Sequence, residues 1–137
     1  MSYNGSCLCG AVKYTIEGGI DSIIHCHCSL CRKSSGTAYA TNGFVQSDDF
    51  TIHKGQDNLT SFAFKPGRYR HFCSTCGSPI YSSNDDDPSR IRIRAGLIES
   101  DISERPIAHI FTASKANWDT VGDAVPSYDE FEPSRNK

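Results

Sequence analysis

Seven cysteines gathered into three tight groups constrain this chain more than any other feature. Cys7 and Cys9 form one pair, and Cys73 and Cys76 another. Cys26, Cys28 and Cys31 form a triplet in the pattern C-x-C-x-x-C. An odd number of cysteines cannot close a full set of disulfides within one chain. Met1-Ser2-Tyr3-Asn4-Gly5-Ser6 shows no charged segment followed by an apolar run, so no signal peptide is expected. No run of about 18 apolar residues exists, so no membrane span is expected. The expected setting is the cytoplasm, a reducing compartment. There, closely spaced cysteines bind metal or do chemistry more often than they form disulfides.

The two pairs resemble each other. Cys7-Leu8-Cys9-Gly10 and Cys73-Ser74-Thr75-Cys76-Gly77 each follow two cysteines with glycine. A tight turn that aims two thiolates at one ion needs a positive φ or exposed N–H groups, and glycine permits both. Each pair supplies half of a Cys₄ zinc site. A closed tetrahedral shell admits no substrate, so this zinc is expected to be structural, clamping the N-terminal segment to the middle of the chain. A lone C-x-x-C is also a redox pattern, but the second pair and the lack of a βαβ context favour metal.

The triplet has no glycine after its last cysteine; Arg32 and Lys33 follow instead. Three thiolates suit a second zinc, and the fourth ligand decides what that zinc does. A histidine would close a structural Cys₃His site. His25, His27, His53, His71 and His109 are the available imidazoles. His27, lying between two ligands, should point away. If the fourth position is open, three thiolates weaken activation of water and favour capture of a soft ligand such as a substrate thiol. Arg32, Lys33, Ser34 and Ser35 would then meet the carboxylates of that thiol, Arg through bidentate pairing. A solvated pair of cations is the other reading of Arg32 and Lys33.

The rest of the sequence reads as short strands. Val12, Tyr14 and Ile16 alternate with polar residues, and so do the isoleucines of Ile91-Arg92-Ile93-Arg94. Further strands are expected over 39–45, 50–53, 59–64, 69–72, 80–81 and 107–111, punctuated at Gly18-Gly19, Lys54-Gly55 and Pro66-Gly67. Ser34-Ser35-Gly36 reads as a loop, residues 115–119 as the start of a short helix or turn, and the segment from Pro126 as a loosely wrapped tail. This pattern predicts one mainly β domain over residues 1–137 without long helices. Hydrophobic residues make up 37% of the chain, which implies a modest core supplemented by metal.

The formal net charge of −2 argues against a general nucleic-acid binder. Asn84-Asp85-Asp86-Asp87-Pro88-Ser89 reads as a solvated acidic loop, since no ligand pattern completes a calcium site. Arg92 and Arg94 are expected on the solvated face of their strand, with contact to an anionic ligand as the alternative. Trp118, the one tryptophan, is expected to be a packing anchor rather than a substrate wall.

The order C-x-C-G, C-H-C-x-x-C-R-K-S-S-G, F-C-x-x-C-G-S-P-I and H-I-F-x-x-S-K-A-x-W-D resembles the glutathione-dependent formaldehyde-activating (GFA) family, whose superfamily includes centromere protein V. The resemblance runs from about Cys7 to Pro133 and places all seven cysteines on motif positions. It implies a β-tent fold of twisted antiparallel sheets. It also implies a structural zinc on Cys7, Cys9, Cys73 and Cys76, and a catalytic zinc on Cys26, Cys28 and Cys31 that faces glutathione. The implied activity is condensation of glutathione with formaldehyde to S-hydroxymethylglutathione, a reversible carbon–sulfur lyase reaction. His27 and His53 are the candidates for a general acid. A non-catalytic zinc-stabilised binding module and a glutathione carrier or sensor are the alternatives, and an oligomer is compatible with either.

Overall fold

The computed structural model describes residues 2–135. Ten strands and one helix follow in order: β1 (Ser2–Ser6), β2 (Lys13–Glu17), β3 (Ser22–Cys26), α1 (Ser29–Ser35), β4 (Ala40–Gln46), β5 (Phe50–Lys54), β6 (Leu59–Lys65), β7 (Arg68–Cys73), β8 (Pro79–Asn84), β9 (Arg90–Arg94) and β10 (Pro106–Ile110). They build a three-stranded sheet, β1-β2-β5, and a seven-stranded sheet, β10-β3-β4-β9-β8-β7-β6. The expected mainly β architecture is present. Its pairs are antiparallel except β10, which runs parallel to β3.

The period-two pattern of the sequence fixes which faces meet. Val12, Tyr14 and Ile16 are fully buried and pack with Ile23, Val45, Ile80, Ile91 and Ile93 in one cluster between the sheets. Each such side chain contributes roughly 1.5–3 kcal/mol by leaving water. Strand β1 escapes the sequence pattern because only Tyr3 is apolar in it. Its Gly5 pairs with Tyr14, and a Cβ at this position would overlap the Tyr14 ring. Glycine is there because the tyrosine lies across the backbone.

Successive residues of a strand face opposite ways. Opposite the isoleucine face, the large sheet carries Ile24, Cys26, Phe44 and Ile110, which join Cys31 of α1 in a second cluster. The arginines of the Ile91-Arg92-Ile93-Arg94 alternation lie on this second face. Arg94 is 6% exposed, so the solvated-face expectation fails. The alternation reports which residues avoid the first core, but it does not report that a helix and the tail cover the other side.

Three local readings are corrected as well. Ser34 and Ser35 lie in α1 rather than in a loop, and their hydroxyls donate to the Cys31 carbonyl at 3.2 and 2.9 Å. Gly36, at φ 69°, ends the helix and donates to the Arg32 carbonyl at 2.8 Å. Trp118 is 72% exposed, and Ala116 is the buried residue of its segment. The tail is tied rather than loose: His109 N–H donates to Pro126 O, Tyr128 N–H to His109 O and Phe111 N–H to Glu130 O, at 2.9 to 3.0 Å. Buried Glu132 accepts from Arg135 Nε at 2.6 Å. The three backbone bonds link residues 17 to 19 positions apart, which local pattern cannot register.

Among the described residues, no helix is long and apolar enough to cross a membrane. The acidic loop forms no metal-type cluster among the described residues, and its Asp87 pairs with Arg90 at 3.1 Å.

Candidate metal centre

The two cysteine pairs meet. The sulfurs of Cys7, Cys9, Cys73 and Cys76 all lie within 4.8 Å of one another, across a separation of 64 positions between Cys9 and Cys73. The two turns are near copies. Cys7 N–H donates to Val12 O and Cys73 N–H to Ser78 O, each at 3.0 Å and each five positions ahead. Gly10 and Gly77 both adopt φ 79°, the left-handed conformation expected from the glycine after each pair. Donors surround the sulfurs: Val12 N–H reaches Cys7 Sγ at 3.3 Å, and Asn58 Nδ2 reaches Cys73 Sγ at 3.2 Å. The Ser78 hydroxyl and N–H pull the Cys76 thiol down to about 5. Four thiols converging with outer hydrogen-bond donors fit a soft tetrahedral ion.

The triplet is built differently. Cys26 ends β3, Cys28 caps α1, and Cys31 lies in the first turn of that helix. The Cys28 sulfur takes the capping role by accepting from Cys31 N–H at 3.3 Å. The three sulfurs also lie within 4.8 Å of one another. Cys26 and Cys28 donate toward Cys31, pulling it down to about 2, with Arg70 and Arg94 adding to the effect. The same sharing pushes Cys26 up. Arg70 Nη2 and Asn42 Nδ2 approach Cys31 Sγ at 3.9 and 3.8 Å, and Arg94 Nη1 donates to Asn42 Oδ1 at 2.7 Å. Three thiols set among cations fit a thiolate-bound metal ion.

Among the described residues, no histidine, aspartate or glutamate joins this group as a fourth donor. The imidazoles are occupied elsewhere. His27 is fully buried and hydrogen-bonds His109 through Nε2 at 2.9 Å. His25 Nδ1 meets Thr41 at 2.9 Å, and His71 Nε2 meets Ser83 at 2.8 Å. His53 is exposed on β5 of the other sheet. His25, His27, His109 and Tyr39 gather into one aromatic cluster with ring centroids 4.5 to 5.6 Å apart, His27 stacked on Tyr39 and His25 meeting it edge-on. Burial first, then the neighbouring imidazoles, pushes His25 down to about 4. His27 is lowered in the same way, by burial and then by His109.

The triplet opens on a cavity of about 190 Å³. Its polar walls are Asn42, Lys65, Arg68, Arg70, Ser82, Arg92 and Arg135, with Phe64, Phe111 and Phe131 among the apolar ones. Among the described residues, no histidine, aspartate or glutamate lines it. Arg32, Lys33, Ser34 and Ser35 sit farther along α1 and do not line it either. Phe111 is the one non-glycine residue at positive φ among those described, at 55°. Its ring meets Phe131 edge-on at 4.9 Å, which pins the tail over the cavity.

Sequence reasoning missed Asn42, Arg68, Arg70 and Arg135. One signal was available. Arg68-x-Arg70 and Arg92-x-Arg94 are both arginines at the strand period, so two such strands in one sheet place four cations on matching faces.

The sequence profile of the glutathione-dependent formaldehyde-activating enzyme family matches residues 2–114. A Halomonas elongata protein whose name places it in that family is 32% identical over 130 aligned positions, spanning 86% of this chain and 80% of its own. A crystal structure of a Rhodobacter sphaeroides protein superposes with a TM-score of 0.60 at 25% identity, covering 73% of this chain and 91% of its own. The chain thus belongs to the glutathione-dependent formaldehyde-activating enzyme family.

Proposed function

We propose that this protein is a zinc-dependent carbon–sulfur lyase acting on a thiol such as glutathione, joining it reversibly to formaldehyde. One zinc is assigned to Cys7, Cys9, Cys73 and Cys76 and is structural. A second is assigned to Cys26, Cys28 and Cys31. The observation that carries this reading is the convergence of three sulfurs, without a fourth donor from the described residues, at a cavity walled by arginine.

Zinc held by Cys26, Cys28 and Cys31 would supply a soft Lewis acid that lowers the pKa of a substrate thiol. The surrounding residues do the rest. Arg70 and the Arg94–Asn42 pair offset negative charge at Cys31. Arg32 and Lys33, in the last turn of α1, add positive charge behind it. Phe64, Phe111 and Phe131 give the cavity an apolar wall beside the arginines. The substrate sulfur adds to the aldehyde carbon, forming the C–S bond as the C=O π bond breaks. The carbonyl oxygen takes up a proton equivalent to the one the thiol released. With no histidine or carboxylate among the described residues lining the cavity, acceleration comes mainly from holding the thiolate in place.

That no histidine or carboxylate among the described residues lines the cavity also favours a second reading, a carrier that holds glutathione without turnover. Saturation-transfer NMR on equilibrated glutathione and formaldehyde separates the two. An enzyme speeds exchange between free and hydroxymethylated glutathione above the uncatalysed rate, and Cys28→Ser abolishes the gain. A carrier binds glutathione and leaves exchange unchanged. Metal analysis giving one zinc per folded chain would defeat the two-site assignment.

A further inference from the structure

The outermost strand of a sheet presents backbone groups without a partner, and a fold covers them, charges them or pairs them. The small sheet ends in β1 and β5, the large one in β10 and β6. β1 is covered: Glu99 N–H donates to Asn4 O at 2.8 Å, and Gly5 bridges to Ile98. β10 is covered by the tail, through the His109–Ser127 bridge. β5 is five residues long and ends on the exposed pair His53-Lys54. β6 is different. It is seven residues long, it pairs with β7 on one side, and no other described segment bonds to it. Residues 59–64 carry no charge, and the one irregularity in its pairing lies at the hairpin end, between Ala63 and Lys65.

The strand is open on both faces. Thr60, Ser61, Phe62 and Ala63 are exposed in succession, Phe62 at 63%. Phe62 is opposite Arg70, Arg70 opposite Ser82, and Ser82 opposite Arg92. Residues directly opposite share a face, so Phe62 stands on the cavity side of the sheet. Ser61 is opposite His71, His71 opposite Tyr81, and Tyr81 opposite Ile93, so Ser61 faces the isoleucine side. Two opposite charges flank the strand, Asp57 just before it and Lys65 at its end. Both are exposed, and neither forms an ion pair among the described residues.

We propose that β6 pairs antiparallel with β6 of a second copy of this chain, centred on Ser61. This register sets Ser61 against Ser61 of the second copy, Leu59 against its Ala63 and Phe62 against its Thr60. It also brings Asp57 beside Lys65 of the second copy, and by symmetry Lys65 beside its Asp57. Moving the centre to Phe62 would set Lys65 against Leu59, and moving it to Thr60 would set Asp57 against Ala63. Either shift leaves the charges unmatched, so charge complementarity selects one register and one two-fold contact. The two Phe62 rings become diagonal neighbours, within reach of each other, which covers the most exposed apolar side chain of the strand. The pairing joins two seven-stranded sheets into one and keeps both cavities on the same side. One pair of strands covers less surface than a standard interface, so the dimer dissociates at micromolar concentrations.

Analytical ultracentrifugation of the zinc-loaded full chain over a concentration series tests this. Wild type should show a reversible monomer–dimer equilibrium. Phe62→Lys, Asp57→Lys and Lys65→Glu should each weaken it by roughly tenfold or more, because the first charges the paired edge and the other two set like charges side by side. An equimolar mixture of Asp57→Lys with Lys65→Glu should dimerise as well as wild type, because both ends of the mixed pair again carry opposite charges. That rescue also shows that the two variants fold, since a misfolded chain cannot restore the contact. A wild type that stays monomeric up to its solubility limit, leaving the edge to a strand of another protein or to water, would overturn the proposal. So would a dimer indifferent to Phe62→Lys, or a mixture that dimerises no better than its two components.

Discussion

Arg94 donates to Asn42 at 2.7 Å, and the other end of the Asn42 amide points to Cys31 at 3.8 Å. A buried cation is thereby coupled, through one neutral side chain, to a sulfur of the triplet. The amide can make both contacts because its oxygen accepts from Arg94 while its nitrogen faces the anion.

Removing this link should have two effects. Asn42→Ala leaves the Arg94 guanidinium short of an acceptor and is expected to cost about 1.5–3 kcal/mol of stability. It should also weaken metal binding at the triplet by roughly 10- to 100-fold, the usual penalty for loss of an outer-shell partner. Thermal unfolding and chelator competition measure the two separately. Unchanged metal retention in a destabilised variant would confine Asn42 to a packing role.

The two cysteine groups should fail differently. Cys73 is fully buried where β7 meets the N-terminal turn, so Cys73→Ser should destabilise the whole chain by about 3 kcal/mol or more, on the order of 10 °C in Tm. Cys28→Ser should keep the fold, because serine caps a helix at least as well as cysteine, while the second metal is lost. Circular dichroism with metal analysis checks both. Equal loss of fold in the two variants would contradict the division of labour.

Gly10 and Gly77 test the turn argument without touching a ligand. A Cβ at either meets nothing within 4 Å, so a substitution acts through backbone strain alone. Gly10→Ala and Gly77→Ala should each cost about 1 kcal/mol from the unfavourable φ of 79°. The cost should appear as a lower thermal midpoint and earlier metal release to a chelator.

His25 carries a pH prediction. Its folded-state pKa is pushed from 6.5 down to about 4 by burial and by His109 and His27. Below pH 6.5 the unfolded chain takes the proton first, so its contribution to stability is complete above that pH and is lost as the pH falls towards 4. The side chain is only partly buried, so after allowance for solvent screening the contribution is on the order of 1 kcal/mol. His25→Gln should flatten the dependence of the thermal midpoint between pH 6.5 and 5 relative to wild type, both metal-loaded. NMR titration of the His25 ring should give a midpoint well below 6.5.

Much of this architecture is legible in the sequence because its signals are local. Cysteine spacing and the following glycine define the paired turns, and period-two alternation defines β2 and β9. What escapes is non-local or too short. A seven-residue helix capped by sulfur shows neither a hydrophobic period nor an Asp or Ser cap. The tail hydrogen bonds to β10 and the residues beyond it join segments whose sequences reveal no partner. Arg92 and Arg94 read as solvated because the alternation separates the two faces of a strand without disclosing what covers either. Arg68 and Arg70 fall in line with them only once β7, β8 and β9 are known to be neighbours.

The proposed zinc at Cys26, Cys28 and Cys31 would offer its fourth position to a substrate thiol. The most direct measurement is zinc K-edge X-ray absorption on the two-zinc protein with and without glutathione. Four sulfurs on one zinc and three on the other average (4 + 3)/2, about 3.5, and should rise to (4 + 4)/2, about 4, as glutathione replaces a light atom. Unchanged sulfur coordination with glutathione bound, or a histidine nitrogen at the triplet in both states, would contradict the account.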